Sequence, residues 1–280
     1  MKFIRYGASG REKPGVLDSQ GRIRSLVDHV RDIEPAVYSR DGQRRLRELD
    51  LESLPLVRSK HRLGVPFVGI GKFIGIGLNY RDHAEEVGLP IPTEPVVFNK
   101  WTSCISGPTD DILQPPHSTR LDWEVELGVV IGKPARYVAE SEALKYVAGY
   151  CVVNDVSERN FQFERGSQWD KGKGCDTFGP IGPWLVSADE VPDPQALDLW
   201  LDVNGKRMQD GNTRSMIFSV KQIVSYLSRF MSLLPGDVIA TGTPPGVAMG
   251  MKTPRWLTPG DTVSLGIVGL GEQRQHVVGA

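Results

Sequence analysis

Three cysteines in 280 residues, Cys104, Cys151 and Cys175, are odd in number, far apart and form no C-x-x-C pair. That excludes a disulfide framework and a thiolate zinc site, and it suits a reducing compartment. No stretch approaches the roughly 18 uninterrupted apolar residues of a membrane span. The opening MKFIRYGASGREK lacks the apolar centre of a signal peptide. The expected setting is therefore cytoplasmic, with no membrane partner. An excess of one charge is missing too: 33 Lys+Arg against 34 Asp+Glu leave a net −1 and no basic block, so nucleic acid is not an expected partner. Phosphate-binding signatures fail as well. GIGKFIGIG has the spacing G-x-G-x-x-x-G, and no G-x-x-x-x-G-K-[ST] occurs. No internal repeat or low-complexity segment is present.

Turn-forming residues are plentiful. With 31 glycines and 20 prolines, the chain is punctuated often, which favours a mainly β fold with some α. KFIRYG, PGVLD and GRIRSLVD read as a small β-meander. DGQRRLRELD has helical hints, and the prolines of ESLPLV lead to a boundary near residues 60–70. This predicts a small N-terminal β-containing domain over residues 1–68 and a large catalytic domain over 69–280. Strand signals dominate the second part: KFIGIGLNY, PVVFNK, WEVELGVVIG, VAGYCVVND, LDLWLDVNGK, GDVIATG and DTVSLGIVGLG. Asn-Gly in VNGK suits a type I′ hairpin turn. SEALKYVAGY and SVKQIVSYLSRFM have helical spacing.

Five stretches offer chemistry. In LDWEVELGVVIG, Glu124 and Glu126 are two apart, so a strand would turn both carboxylates to one face, with Asp122 adding a third acid there. Buried together they repel, and one must take a proton unless a cation intervenes. Oxygen-only ligands favour Mg²⁺, Mn²⁺ or Ca²⁺. An E-x-E pair also describes an exposed strand edge with solvated glutamates, although the apolar run after it demands burial. Asp155, ending GYCVVND, is either a third carboxylate ligand or a helix N-cap. In RDHAEEVG a helical turn would set His83 and Glu86 at i and i+3, an imidazole with a carboxylate to orient it, or else an ordinary surface pair. Flanking Gly77, Gly88, Pro90 and Pro92 suggest a short segment able to move as a lid. QWDKGKGCDTFGP brings lysines into a glycine-rich stretch suited to a small anion or simply to solvent. The TGTPPGV loop offers hydroxyls and N–H groups for a carboxylate, or is a plain tight turn.

The order of these pieces carries more than any one of them. N-Y-x-x-H-x-x-E, E-x-E, N-D-V with a glutamine seven residues beyond the aspartate, G-K-G-x-D-T-F-x-P-x-G-P and T-G-T-P-x-G-V together resemble the fumarylacetoacetate hydrolase family over roughly residues 70–280. LDWEVELGVVIGK, GYCVVNDVSER and QWDKGKGCDTFGP are most similar to the branch acting on 2,4-diketo-3-deoxy-L-fuconate or -L-rhamnonate. The resemblance implies a β-roll catalytic domain, usually in a homodimer, and Mg²⁺ or Mn²⁺ held by Glu124, Glu126 and Asp155. It implies a water-activating dyad of His83 and Glu86, with Lys173 and Gln162 on the oxygens of a small diketo acid substrate. Thr243 would hold the substrate's carboxylate and Arg159 would add a contact. Cys175 occupies a slot often filled by an aromatic residue. The implied reaction is hydrolysis of the C3–C4 bond to pyruvate and lactate, in sugar acid catabolism. Acylpyruvate hydrolysis, oxaloacetate-type decarboxylation and ureidoglycolate lysis are alternatives, and a non-catalytic keto-acid binding module is a reading of another class.

Overall fold

The computed structural model describes residues 1–58, 60–166 and 168–280. Its principal strands are β1 (Lys2–Tyr6), β2 (Lys13–Leu17), β3 (Ile23–Ser25), β4 (Phe73–Gly77), β5 (Val96–Lys100), β6 (Val125–Ile131), β7 (Val147–Asn154) and β8 (Gly179–Ser187). They are followed by β9 (Asp198–Val203), β10 (Lys206–Asn212), β11 (Val238–Ala240), β12 (Thr262–Ile267) and β13 (Gly271–Gly279). One large sheet runs in the order β3-β2-β1-β8-β7-β6-β11-β4-β5, with the short strand Ile105–Ser106 paired to β8. A second sheet runs β10-β9-β12-β13 and ends on Ile112–Gln114. The mainly β architecture expected from the turn-rich composition is what the chain adopts.

The first 68 residues join the large sheet directly: β1 pairs antiparallel with β8, Phe3 opposite Leu185. At the centre, β6 and β7 are buried along their whole length, as their unbroken apolar runs require. Three buried glutamines of the second sheet bond to neighbouring main chain. Gln209 accepts from the Val125 N–H at 3.0 Å, Gln273 donates to the Val152 carbonyl at 2.7 Å, and Gln275 donates to the Pro108 carbonyl at 2.8 Å. The predicted hairpin at VNGK is present, with Asn204 and Gly205 at φ +51° and +76° as a type I′ turn needs.

Helices are short: α1 (Arg40–Leu46), α2 (Arg81–Glu86), α3 (Arg159–Glu164), α4 (Asp170–Lys173) and α5 (Val220–Leu227). A Ser219–Gln222 capping box opens α5. SEALKYVAGY departs from its helical spacing. Only Glu140–Tyr146 coils, as a 3₁₀ segment, and VAGY belongs to β7. Gly149 explains the switch: a Cβ there would lie 2.1 Å from the Val186 carbonyl oxygen on β8, so this stretch is shaped for close strand pairing. Among the described residues no helix is long and apolar enough to cross a membrane.

Candidate active site

Antiparallel pairing of β6 with β7 sets Asn154 opposite Val125 and Val153 opposite Glu126. That register brings Asp155, just past β7, against the start of β6, where its N–H donates to the Glu124 carbonyl at 2.9 Å. Glu124, Glu126 and Asp155, all buried, thereby present carboxylate oxygens within 4.8 Å of one another. At that spacing each pair of negative charges repels by about 3–4 kcal/mol at an effective dielectric near 20.

Three buried cations offset this. Lys173, at the end of α4, donates to Glu124 and Asp155, both at 2.7 Å. Lys100, at the end of β5, donates to the other Asp155 oxygen at 2.5 Å and to the Lys173 carbonyl. Arg159, opening α3, spreads its guanidinium over Asp122 (2.9 Å), Gln162 (3.0 Å) and Glu124 (2.6 Å). Asp122 is thus a brace for Arg159, and it also accepts the Ala248 and Met249 N–H groups at 2.8 and 3.1 Å.

The compensation is uneven. Burial pushes Glu124 up, but Lys173 and Arg159 outweigh it and hold the carboxyl at about 2. Glu126 has the Gly242 N–H at 2.7 Å and, among the described residues, no cation within ion-pair distance. Burial, followed by the Asp155 and Glu124 charges, drives it well above the ordinary carboxylate range. Four carboxylates (Asp122, Glu124, Glu126, Asp155) thus face three cations (Lys100, Arg159, Lys173). An all-oxygen, buried triad with one uncompensated charge fits a hard divalent cation, as the sequence led us to expect.

His83 and Glu86 do share a face of α2, with Nδ1 to Oε2 at 3.1 Å, and His83 is only 4% exposed. A carboxylate at Nδ1 assigns the ring proton there and leaves Nε2 free as a base. Glu86 is itself held by the Gly246 N–H, at 2.9 and 3.1 Å to its two oxygens. Here the T-G-T-P-P-G-V loop shows its purpose. Gly242 and Gly246 have φ of +96° and +109°, and a Cβ on Gly246 would lie 1.9 Å from the Met208 carbonyl oxygen. One glycine N–H serves Glu126 and the other serves Glu86.

These groups line one small cavity. His83, Glu124, Glu126, Arg159, Gln162, Lys173 and Thr243 all face it, with Glu86 and Asp155 immediately behind. The nine residues singled out in the sequence therefore meet at one place. Two are more engaged than expected. Each of the three Arg159 guanidinium nitrogens already has a protein partner, and the Thr243 hydroxyl donates to the Val125 carbonyl (2.9 Å) while accepting from Gln209 (2.8 Å). Lys100 and Gln209 were missed, since each acts on a partner distant in sequence.

The family model described as fumarylacetoacetate (FAA) hydrolase C-terminal matches residues 72–278. A protein of Burkholderia orbicola (strain MC0-3) named "Putative hydrolase" is 64% identical over 277 residues, 99% of this chain and 98% of its own. The 5-carboxymethyl-2-hydroxymuconate delta-isomerase of Mycobacterium smegmatis superposes with a TM-score of 0.77 at 30% identity, covering 100% and 99% of the two chains. The maleylpyruvate hydrolase of Sphingobium sp. SYK-6, solved with manganese(II) and pyruvate, superposes at 0.83 with 29% identity over 100% of both. With its domain matched from 72 to 278 and its fold shared with both hydrolase and isomerase, this chain belongs to the fumarylacetoacetate hydrolase family.

Proposed function

We propose that the protein is a Mg²⁺- or Mn²⁺-dependent hydrolase that cleaves the C3–C4 bond of a 2,4-diketo acid, giving pyruvate and a second carboxylic acid. The observation that carries this reading is the His83–Glu86 pair, anchored by Gly246 and opening on the same cavity as the carboxylate triad. Glu124, Glu126 and Asp155 would hold the cation, which when bound supplies Lewis-acid stabilisation to the negative charge developing at the pyruvate end. His83 Nε2 takes a proton from water, and Glu86 keeps the ring aligned as it becomes imidazolium. The hydroxide so formed adds to C4, and collapse breaks C3–C4 with the electron pair moving to the C2–C3 enolate. Lys173 lies beside that charge and opposes it. Return of a proton to C3 completes pyruvate. The Gln162 amide nitrogen is available to the substrate's oxygens.

The expected 2,4-diketo-3-deoxy-L-fuconate or -L-rhamnonate substrate rests on sequence layout alone. The relative that is an isomerase supports a second reading, in which His83 only relays a proton between carbons and no water is consumed. One experiment separates these readings. Pyruvate release is followed from acetylpyruvate and from 5-hydroxy-2,4-dioxohexanoate, with Mg²⁺, with Mn²⁺ and with chelator. Metal-dependent pyruvate is expected, and His83→Ala is expected to lower turnover about 10²–10⁴-fold while still binding oxalate or pyruvate. Unchanged turnover in His83→Ala would remove the dyad from the mechanism. Proton exchange at the substrate's carbons without pyruvate would favour the isomerase reading.

A further inference from the structure

A second cleft, of about 380 Å³, opens where the first 68 residues meet the large sheet. α1 forms one side, and the 3₁₀ segment Glu140–Tyr146 with the turn after β6 forms the other. Gln43 pins the two sides together, its buried amide donating to the Tyr38 and Ala148 carbonyls at 2.7 and 2.9 Å. The cleft is remote from the carboxylate triad. Glu126 pairs with Val153 at one end of the β6–β7 ladder, while Ile131 pairs with Val147 at the other, with Gly132 just beyond. That is about 20 Å along the strand. The volume lies in the range of small-molecule sites, which favour such junctions.

The walls are one-sided in charge. Arg40, Arg47, Lys133 and Lys145 line the cleft, against the single carboxylate of Asp189. Among the described residues Arg40 has no hydrogen-bond or ion-pair partner, and the Lys133 ammonium has only the Tyr146 ring, 4.2 Å from its centroid. The other two are held loosely. Arg47 meets Asp189 and Lys145 meets Glu142, but these four side chains are 43–60% exposed. Ion pairs so exposed are worth about 0–1 kcal/mol, and both cations can turn to a stronger partner. Arg47 is already aimed by Gln43 Oε1 and Ser187 Oγ, each at 3.5 Å. Cations gathered in this way repel one another, and a bound anion relieves the repulsion.

We infer that this cleft is a ligand site for a small phosphorylated molecule. A phosphoryl dianion is tetrahedral and takes cations from several sides, as three separate elements supply them here: α1 with its C-cap, the turn after β6, and the 3₁₀ segment. A carboxylate is planar, singly charged and satisfied by one arginine fork. Beside the cations, the exposed Leu144 and the Tyr146 ring give an organic group an apolar bed. The site stands apart from the proposed reaction, since none of its residues lines the catalytic cavity.

Calorimetry on the full chain, its active site saturated with Mg²⁺ and oxalate, compares phenyl phosphate with phenylmalonate. The two probes share the ring and a charge near −2, and differ in whether one tetrahedral group or two planar groups carry it. Phenyl phosphate is expected to bind with a Kd below about 1 mM and phenylmalonate at least about tenfold more weakly. Arg40→Gln combined with Lys133→Gln removes two exposed cations that have no ion-pair partner. That variant should keep the wild-type Tm and turnover and bind phenyl phosphate at least about tenfold more weakly. Should the pair of exchanges unsettle α1, Lys133→Gln alone, outside any helix, carries the test with a loss of at least about threefold. No binding up to about 10 mM, affinity unchanged in the variants, or phenylmalonate binding as tightly as phenyl phosphate would each overturn the inference.

Discussion

Glu126→Gln tests the electrostatic account most directly, because it is expected to stabilise the protein while abolishing its activity. Glu126 lies within 4.8 Å of two other carboxylates, and among the described residues its one hydrogen bond to protein is from the Gly242 N–H. Its folded-state affinity for a proton is raised by burial and by Asp155 and Glu124. The sign follows. In metal-free protein a carboxyl of raised pKa costs nothing below its unfolded value near 4.3, and costs progressively more as pH rises above it. Proton uptake caps the penalty at about 1.4 kcal/mol per pH unit, so at pH 7 it cannot exceed about 4 kcal/mol, close to the repulsion of one neighbouring carboxylate. A neutral amide removes that cost but weakens the charge-assisted bond from Gly242 by about 1–2 kcal/mol.

The net expectation in chelator at pH 7 is a gain of about 2 kcal/mol, or roughly 3–4 °C in Tm for a chain of this size. The gain should shrink toward zero as pH falls to about 4.5. Saturating Mn²⁺ should raise the wild type well above its chelated value and leave the variant nearly unmoved, reversing their order. Thermal unfolding of both proteins across pH, with and without metal, reads every term. A Glu126→Gln protein less stable than wild type in chelator at pH 7 would refute the reasoning, as would equal stabilisation of both by Mn²⁺.

Other substitutions probe the remaining parts. Lys100→Met leaves Asp155 with Lys173 as its one cation among the described residues and should cost about 3–5 kcal/mol in chelator, measured by denaturant unfolding; a cost below about 1 kcal/mol would show that Lys100 is not needed there. Gly246→Ala puts a side chain at φ +109° against the Met208 carbonyl, and should cost about 2–3 kcal/mol and lower turnover with metal affinity retained. Loss of metal binding in that variant would mean that the loop collapses instead of merely misplacing Glu86. Burial alone would raise the Asp18 carboxyl, but N–H groups of Arg22 and Gln20 and the side chains of Arg24 and Arg22 hold it well below the usual carboxylate range. Its stabilisation is therefore full above about pH 4 and lost as pH falls further. Asp18→Asn should differ from wild type at neutral pH and converge with it in acid, which unfolding across pH 2–7 will show.

What the sequence disclosed depended on how far apart the meeting groups lie. Glu126 is the second residue of β6 with Glu124 just before that strand, and His83 and Glu86 share one helical turn, so each pair is close along the backbone. Asp155 needed the β6–β7 register as well, and only the order of motifs pointed to it. The placement of β1 beside β8 was hidden in the same way, since a pairing across some 180 residues leaves no local trace. GIGKFIGIG was legible as a strand and as a failed nucleotide fingerprint, but nothing nearby says that its last two glycines make room for Phe98 and Trp169. Lys100 is the instructive miss. In VVFNK the exposed positions are Val97 and Asn99, while Phe98 and Lys100 turn inward. Once that run is read as a strand, period two assigns Lys100 to the same face as a buried phenylalanine. A lysine does not stay there without a carboxylate to meet it. The sequence held one in Asp155, and only the fold shows that the two are 2.5 Å apart. In this chain, then, a lysine on the buried face of a strand is what offsets a carboxylate of the candidate metal site.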